Sequence, residues 1–209
     1  MRINQDTVLQ GKLVALVPYT SQHVPRYHEW MKSETLQKLT ASEPLTLEQE
    51  YSMQRSWRED EDKCTFIVID QKRWVEQACM DKDCMVGDVN LFLTDPEDPT
   101  LGEIEVMIAE PNYRGKGFGK EAALMMMFYG LTKLGIASFE AKIGQENKAS
   151  ICMFQKLHFE EVSVSSVFQE VTMKLVMDEQ QKEWLLALAD HVTEAKYSET
   201  RQHSQQSLI

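Results

Sequence analysis

Cysteine is scarce in this chain: the four residues at 64, 79, 84 and 152 share no spacing that fits a zinc knuckle or a redox pair. A disulfide framework is not indicated, so a reducing, cytosolic compartment is expected. Basic residues are also short, 22 against 33 acidic, for a net charge of -11, which argues against the cationic face of a nucleic-acid module. No apolar run approaches the ~20 residues of a membrane span, and Met1-Arg2-Ile3-Asn4-Gln5-Asp6 lacks the apolar core of a signal peptide. What is present, 43% hydrophobic and 26% charged residues over 209 positions, is an ordinary globular composition, with length enough to bury a core.

The periodicity is mixed. Gly11 to Val17, stopped by Pro18, is rich in β-formers and predicts a strand; Thr20 or Ser21 then caps a helix through Trp30 and Met31. Thr46-Leu47-Glu48-Gln49 is a capping-box pattern and opens a helix that carries Glu50, Met53 and Trp57. Cys64 to Ile69, Met85 to Leu93 and Leu101 to Ala109 read as an antiparallel meander, with Asp70 to Asp83 an irregular insertion or hairpin tip. Phe118 to Leu134 reads as a helix ended by Gly135, Ala137 to Ile143 as a strand and Asn147 to Leu157 as a helix. Phe159 to Val167 with Gln169 to Val176 then reads as a closing hairpin. The expected fold is α/β, a mixed, mostly antiparallel sheet with helices on both faces, spanning 1–177. Residues 178–209 follow as an amphipathic helix (Trp184, Leu185, Leu188, Val192) and a polar tail from Tyr197.

The stretch Arg114-Gly115-Lys116-Gly117-Phe118-Gly119-Lys120 joins a strand to a long helix. Three glycines in five residues are costly to order. Side-chain-free amides at a helix N-terminus can converge on phosphate oxygens. Arg114, Lys116 and Lys120 reverse the local charge of an acidic protein, which points to a polyanionic ligand. A P-loop is excluded, because Arg114 stands where its first glycine belongs and Glu121 follows Lys120; a dinucleotide fingerprint is excluded by Lys120 in place of its third glycine.

The remaining Arg-x-x-Gly-x-Gly pattern, with Asn147-Lys148-Ala149-Ser150-Ile151-Cys152-Met153-Phe154-Gln155-Lys156-Leu157-His158-Phe159, resembles the GNAT superfamily of N-acetyltransferases from Leu13 to about Val176. The second block is similar to that of the RimJ/RimL-type branch, and within it to eukaryotic members acting on tubulin. The resemblance implies acetyl-CoA as cofactor, held by Val106, Met107 and Ile108, by Arg114, Gly115, Lys116, Gly117, Phe118 and Gly119, and by Asn147 and Ser150. It implies a protein or peptide acceptor, with tubulin suspected; the acidic balance and the lack of a long apolar run leave neither nucleic acid nor membrane as an expected partner. Two departures stand out: His158 replaces the branch's glycine, and Phe154 replaces the Tyr that many relatives use as general acid.

Glu103 and Glu105 leave the same face of the strand Leu101 to Ala109. Neighbouring carboxylates raise one another's pKa, which suits one of them to accept an ammonium proton. By resemblance Glu103 is the expected base, with Glu105 orienting water or the substrate ammonium, against the plain alternative of a solvated strand face. His23, His28, His191 and His203 show no ligand spacing, so no metal is expected, and Met125-Met126-Met127 reads as core. No cysteine accompanies a candidate base, which favours direct transfer to the amine in a ternary complex. Two alternatives stay open: a non-catalytic acetyl-CoA-binding or microtubule-associated module, and a small-molecule amine acetyltransferase.

Overall fold

Short β-branched runs and amphipathic stretches alternate along the chain. In the computed structural model, which describes residues 2–76, 80–93 and 95–200, they become a single sheet with helices on both faces. The order is β1 (Thr7–Gln10), β2 (Val14–Pro18), α1 (Val24–Met31), α2 (Glu34–Leu39), α3 (Leu47–Glu59), β3 (Lys63–Asp70), α4 (Gln71–Glu76), α5 (Asp81–Cys84), β4 (Met85–Phe92) and β5 (Leu101–Ile108). It continues through a 3₁₀ turn at Pro111–Tyr113 to α6 (Phe118–Lys133), β6 (Ser138–Gly144), α7 (Lys148–Gln155), β7 (Glu160–Ser165), β8 (Glu170–Val176), α8 (Glu179–Leu188) and β9 (Thr193–Lys196). Strands lie in the order β7-β8-β6-β5-β4-β3-β2-β1-β9. Every pairing is antiparallel except β5 with β6.

Strand alternation sends residues into two cores. Leu16, Phe66, Val68, Leu91 and Ile104 meet α6, whose Met125, Met126 and Met127 are fully buried. From Ala122 to Met127 that helix is apolar on all sides and buried throughout, covered by α8 as well as the sheet. Val17, Ile67, Ile69 and Met107 face the other way, under Tyr27 and Trp30 of α1, with Trp57 of α3 packed alongside. Each large side chain so buried contributes about 1.5–3 kcal/mol.

The capping box opens α3 as expected, with Thr46 N donating to Gln49 Oε1 at 2.8 Å and Gln49 N to Thr46 Oγ1 at 3.2 Å. Gly135 takes φ 71° and ends α6. Several boundaries differ from expectation. Helix α1 begins after His23, not at Thr20 or Ser21, and Pro18 closes β2 as its last residue, paired with Phe66. Asp70 to Asp83 is neither irregular nor a hairpin over its described part, since α4 and α5 lie there; Cys79 falls outside the described residues. Helix α2, capped by Ser33, was not expected. Nor were β1 and β9, which pair with each other and bury Tyr197 where a polar tail was read.

Candidate active site

The glycine turn follows β5 and opens α6. Gly115 has φ 69° and Gly117 φ 92°, a left-handed backbone in which any side chain is strained. A Cβ on Gly115 would meet nothing within 4 Å. The first i to i−4 bond of α6 is Glu121 N to Gly117 O, and no side chain caps the helix. The N–H groups of Phe118, Gly119 and Lys120 therefore face outward with the positive end of the helix dipole behind them. Among the expected cations, Lys116 and Lys120 are exposed, while Arg114 turns back: its Nε donates to Ile108 O at 2.7 Å and its Nη2 to Ala109 O at 3.0 Å. Phe118 packs edge-on against Tyr113, whose hydroxyl donates to Asp70 Oδ2 at 2.9 Å. The carboxylate of Glu121 accepts the N–H groups of Lys12, Leu13 and Val14, so the one acid of the first turn is used up in holding the β1–β2 connection.

Beside the turn the sheet splits. β5 and β6 pair only from Leu101↔Ser138 to Glu103↔Glu140, although β5 continues to Ile108 and β6 to Gly144. The carbonyl of Met107 is directed at Gly87 of β4, where an added Cβ would lie 1.9 Å from it. A trans peptide then turns the Ile108 N–H to the opposite side, away from β4 and toward the split, and strand alternation gives Val106 the same direction. The split opens into a groove of about 1200 Å³, larger than an ordinary small-molecule pocket. A second hollow of about 20 Å³ beside Asn4, Tyr19 and Gln54 is water-sized.

Glu103 and Glu105 lie together on the groove floor with Asp88, Asn90, Lys63 and Lys142. Glu103 accepts from Lys142 Nζ at 2.6 Å and is nearly covered. Glu105 is open to the groove's water, yet the surrounding protein mass limits its solvation, and burial, with further repulsion from Asp88 and Glu103, holds its carboxyl up at about 7 against the attraction of Lys63. Asp88, buried, is pushed up to about 6 by desolvation in spite of its bonds from Asn90 Nδ2 (2.9 Å) and Tyr27 (3.4 Å).

Asn147 caps α7 by accepting from Ser150 N at 3.2 Å, and both residues line the groove. Phe154 is buried against Phe159 with its ring centroid 4.9 Å away; its position carries no proton donor. His158 takes φ 67°. There it stacks on Trp184 at 4.1 Å and its Nδ1 lies 2.9 Å from Gln181 Oε1, contacts from α8 that offset the strain of a non-glycine residue. Lys63, Asp88, Asn90 and Lys142 were missed by the sequence reading. A signal existed: Lys63-x-Thr65, Asp88-x-Asn90 and Glu103-x-Glu105 put polar residues at period two on three apolar strands, and such polar groups on one face of a central sheet call for a partner or a ligand.

Comparison with known proteins agrees with this geometry. The family model for the acetyltransferase (GNAT) domain matches residues 14–160. The chain is 67% identical over 199 residues to the human alpha/beta-tubulin-N-acetyltransferase 9, covering 94% of this chain and 96% of that protein. It is 49% identical over 192 residues to the Drosophila melanogaster protein of that name, covering 88% and 94%. Among solved structures, spermidine N-acetyltransferase from Vibrio cholerae in complex with CoA and spermine superposes with TM-score 0.67 at 16% identity, covering 84% of this chain and 99% of that one, a likeness of fold alone. With a family model spanning most of the chain, a relative two-thirds identical along nearly its whole length, and the split sheet and glycine turn in place, the chain belongs to the GNAT acetyltransferase family.

Proposed function

We propose that this acetyltransferase uses acetyl-CoA to acetylate the N-terminal α-amine of a protein, with tubulin the favoured target, by direct transfer in a ternary complex in the cytosol. The observation that carries the proposal is the continuity of three features: the uncapped amide turn, the split between β5 and β6, and a groove floored by two carboxylates. The turn suits a pyrophosphate, since Gly115 and Gly117 leave its amides unshielded and Lys116 and Lys120 are exposed beside them. Val106 and Ile108 would hold the pantetheine arm along the split, and Asn147 and Ser150 would line its far wall. Bound there, acetyl-CoA supplies an acetyl thioester whose carbonyl is the electrophile.

This chain's residues then have three tasks. Glu105 accepts the acceptor's ammonium proton: against an α-amine near pKa 8, a carboxyl at about 7 makes that transfer roughly tenfold uphill, whereas an ordinary Glu would make it several-thousand-fold uphill. Glu103, committed to Lys142, orients the ammonium; the roles expected from sequence are exchanged because the ion pair occupies Glu103. The N–H groups of β5 that turn into the split stabilise negative charge developing on the acetyl oxygen. Phe154 offers no proton, so the departing thiolate, of pKa near 8 to 9, leaves unprotonated, and the second proton that nitrogen sheds as the C–N bond forms and the C–S bond breaks passes to groove water.

An α-amine is favoured over a lysine for two reasons. A lysine near pKa 10.4 would be over a thousandfold uphill to Glu105. The groove is also a wide trench, bounded by α2 and its following loop (Leu39, Ala41) on one side and by the β7–β8 hairpin (Phe168, Gln169) on the other. Ala41 and Gln169 both hold a left-handed backbone, φ 48° and 56°, a local strain found where loops are shaped for binding. Tubulin rests on the names borne by the relatives. The test compares matched peptides with free and blocked N-termini, those of α- and β-tubulin included, and locates the acetyl group by fragmentation mass spectrometry. Acetylation confined to the free N-terminus is expected; modification of internal lysine at undiminished rate on blocked peptides would overturn the assignment.

A further inference from the structure

Lys63 ends up in an unusual place for a lysine. It begins β3, is 6% exposed, and its ammonium lies 3.0 Å from the centre of the Trp57 ring and 4.3 Å from that of Phe92. The register of the sheet puts it in a rank with the catalytic carboxylates: Lys63, Phe92 and Glu103 follow one another across β3, β4 and β5, and Thr65, Asn90 and Glu105 form the next rank. Thr65 Oγ1 donates to Asn90 Oδ1 at 2.6 Å and Asn90 Nδ2 to Asp88 Oδ2 at 2.9 Å. A polar seam thus runs from the foot of the lysine to the floor of the groove, walled by two aromatic faces that favour a cation.

We propose that Lys63 is a positioning residue for acetyl transfer: held against Trp57 and Phe92, its ammonium supplies the positive field that keeps Glu105 ionised and able to take the acceptor's proton. The inference rests on the reading of Glu105 as base. The charged groups that act on Glu105 are Lys63 from β3, Asp88 from β4, Glu103 on its own strand and Lys142 from β6. Lys142 is closely neutralised by Glu103 at 2.6 Å, and Asp88 and Glu103 repel. Lys38, Glu146, Lys148 and Glu170 lie at the rim, where water and salt screen them. From α3 the groove receives the ring of Trp57 and no charge. Of the two cations, Lys63 acts on Glu105 the more strongly. Its own pKa is lowered to about 8, by burial first, with Asp88, Glu105 and Asp60 pulling it back up, so it carries its charge across the neutral range.

The test is the pH dependence of kcat/KM with one peptide, the acceptor's own titration being common to all variants. Lys63→Met keeps an apolar stem and loses the charge. Its deficit is expected to be about fivefold or more at pH 6.5 and to shrink below about twofold at pH 9, with Lys63→Arg close to wild type throughout. A ¹³C NMR titration of the Glu105 carboxyl in folded Lys63→Met protein should show its midpoint moved upward. Trp57→Leu, which retains the charge and loosens its clamp, should move the midpoint the same way by less, and it provides the reading if Lys63→Met does not fold. A deficit equal at every pH, or an unmoved midpoint, overturns the role of Lys63. Full activity in Glu105→Gln would instead overturn the base assignment beneath it, so the two failures are distinct.

Discussion

Arg114 holds Ile108: its guanidinium Nε donates to that residue's carbonyl at 2.7 Å, across the turn between β5 and α6. The strand whose amides face the split and the turn whose amides face outward are thereby fixed to each other. The most conspicuous cation of the motif, although exposed, has its guanidinium committed to the protein's own backbone, whereas Lys116 and Lys120 are exposed without such a commitment among the described residues.

Gly117→Asp tests the turn. The left-handed backbone at φ 92° strains any side chain, but Asp enters that region more readily than most residues, so α6 should persist at reduced stability, with a carboxylate placed beside the amides and its Cβ 3.2 Å from the flexible end of Leu13. Coenzyme A affinity measured by calorimetry should fall at least about tenfold. Unchanged affinity in the folded variant would remove the turn from the cofactor site.

The two carboxylates should separate kinetically. Glu105→Gln is expected to lower kcat by about 10²-fold while leaving coenzyme A binding intact, and Glu103→Gln to cost less and act mainly through KM. As the proposed base, Glu105 would act only when ionised, so kcat/KM of the wild type should fall on acidification through about 7. That limb should flatten in Glu105→Gln. A larger loss in Glu103→Gln would restore to Glu103 the role expected from sequence.

Gly87 is the point where β4 lets β5 approach. An alanine Cβ there would lie 1.9 Å from the Met107 carbonyl, which is backbone and cannot move aside cheaply. Gly87→Ala should destabilise by about 2 kcal/mol or more in urea denaturation. If it folds, coenzyme A binding should weaken as the Ile108 amide is re-aimed. Wild-type stability and affinity together would show that the close approach is unimportant.

His158 pits backbone strain against stacking. His158→Gly removes both and should stay within about 1 kcal/mol of wild type; His158→Ala keeps the left-handed strain, loses the ring on Trp184, and should be destabilised by about 1–2 kcal/mol. Urea unfolding of the pair gives the comparison directly. A more stable alanine than glycine variant would be incompatible with the observed backbone.

Features carried by a few adjacent residues were readable from the sequence. The Thr46–Gln49 capping box, the Gly135 stop, the period-two placement of Glu103 and Glu105, and the strand-turn-helix around Gly115–Gly119 all appear where local pattern put them. Short helices such as α2, α4 and α5 did not announce themselves, because four to six residues span too few turns for a period to show.

The sequence by itself determined the alternation of strands and helices, the two-carboxylate face and the glycine turn at the head of α6, since each follows from side-chain periodicity or glycine backbone freedom within about a dozen residues. Only the tertiary structure decided how these groups behave. Pairing of β1 with β9 joins residues nearly the whole chain apart. The Arg114 side chain found carbonyls in place of solvent, and His158 found the ring of Trp184. On the groove floor, Lys142 took Glu103, and Lys63 came to lie two strands from Glu105. Strand register and desolvation set those outcomes, and both depend on what is packed nearby in space, which no local pattern encodes.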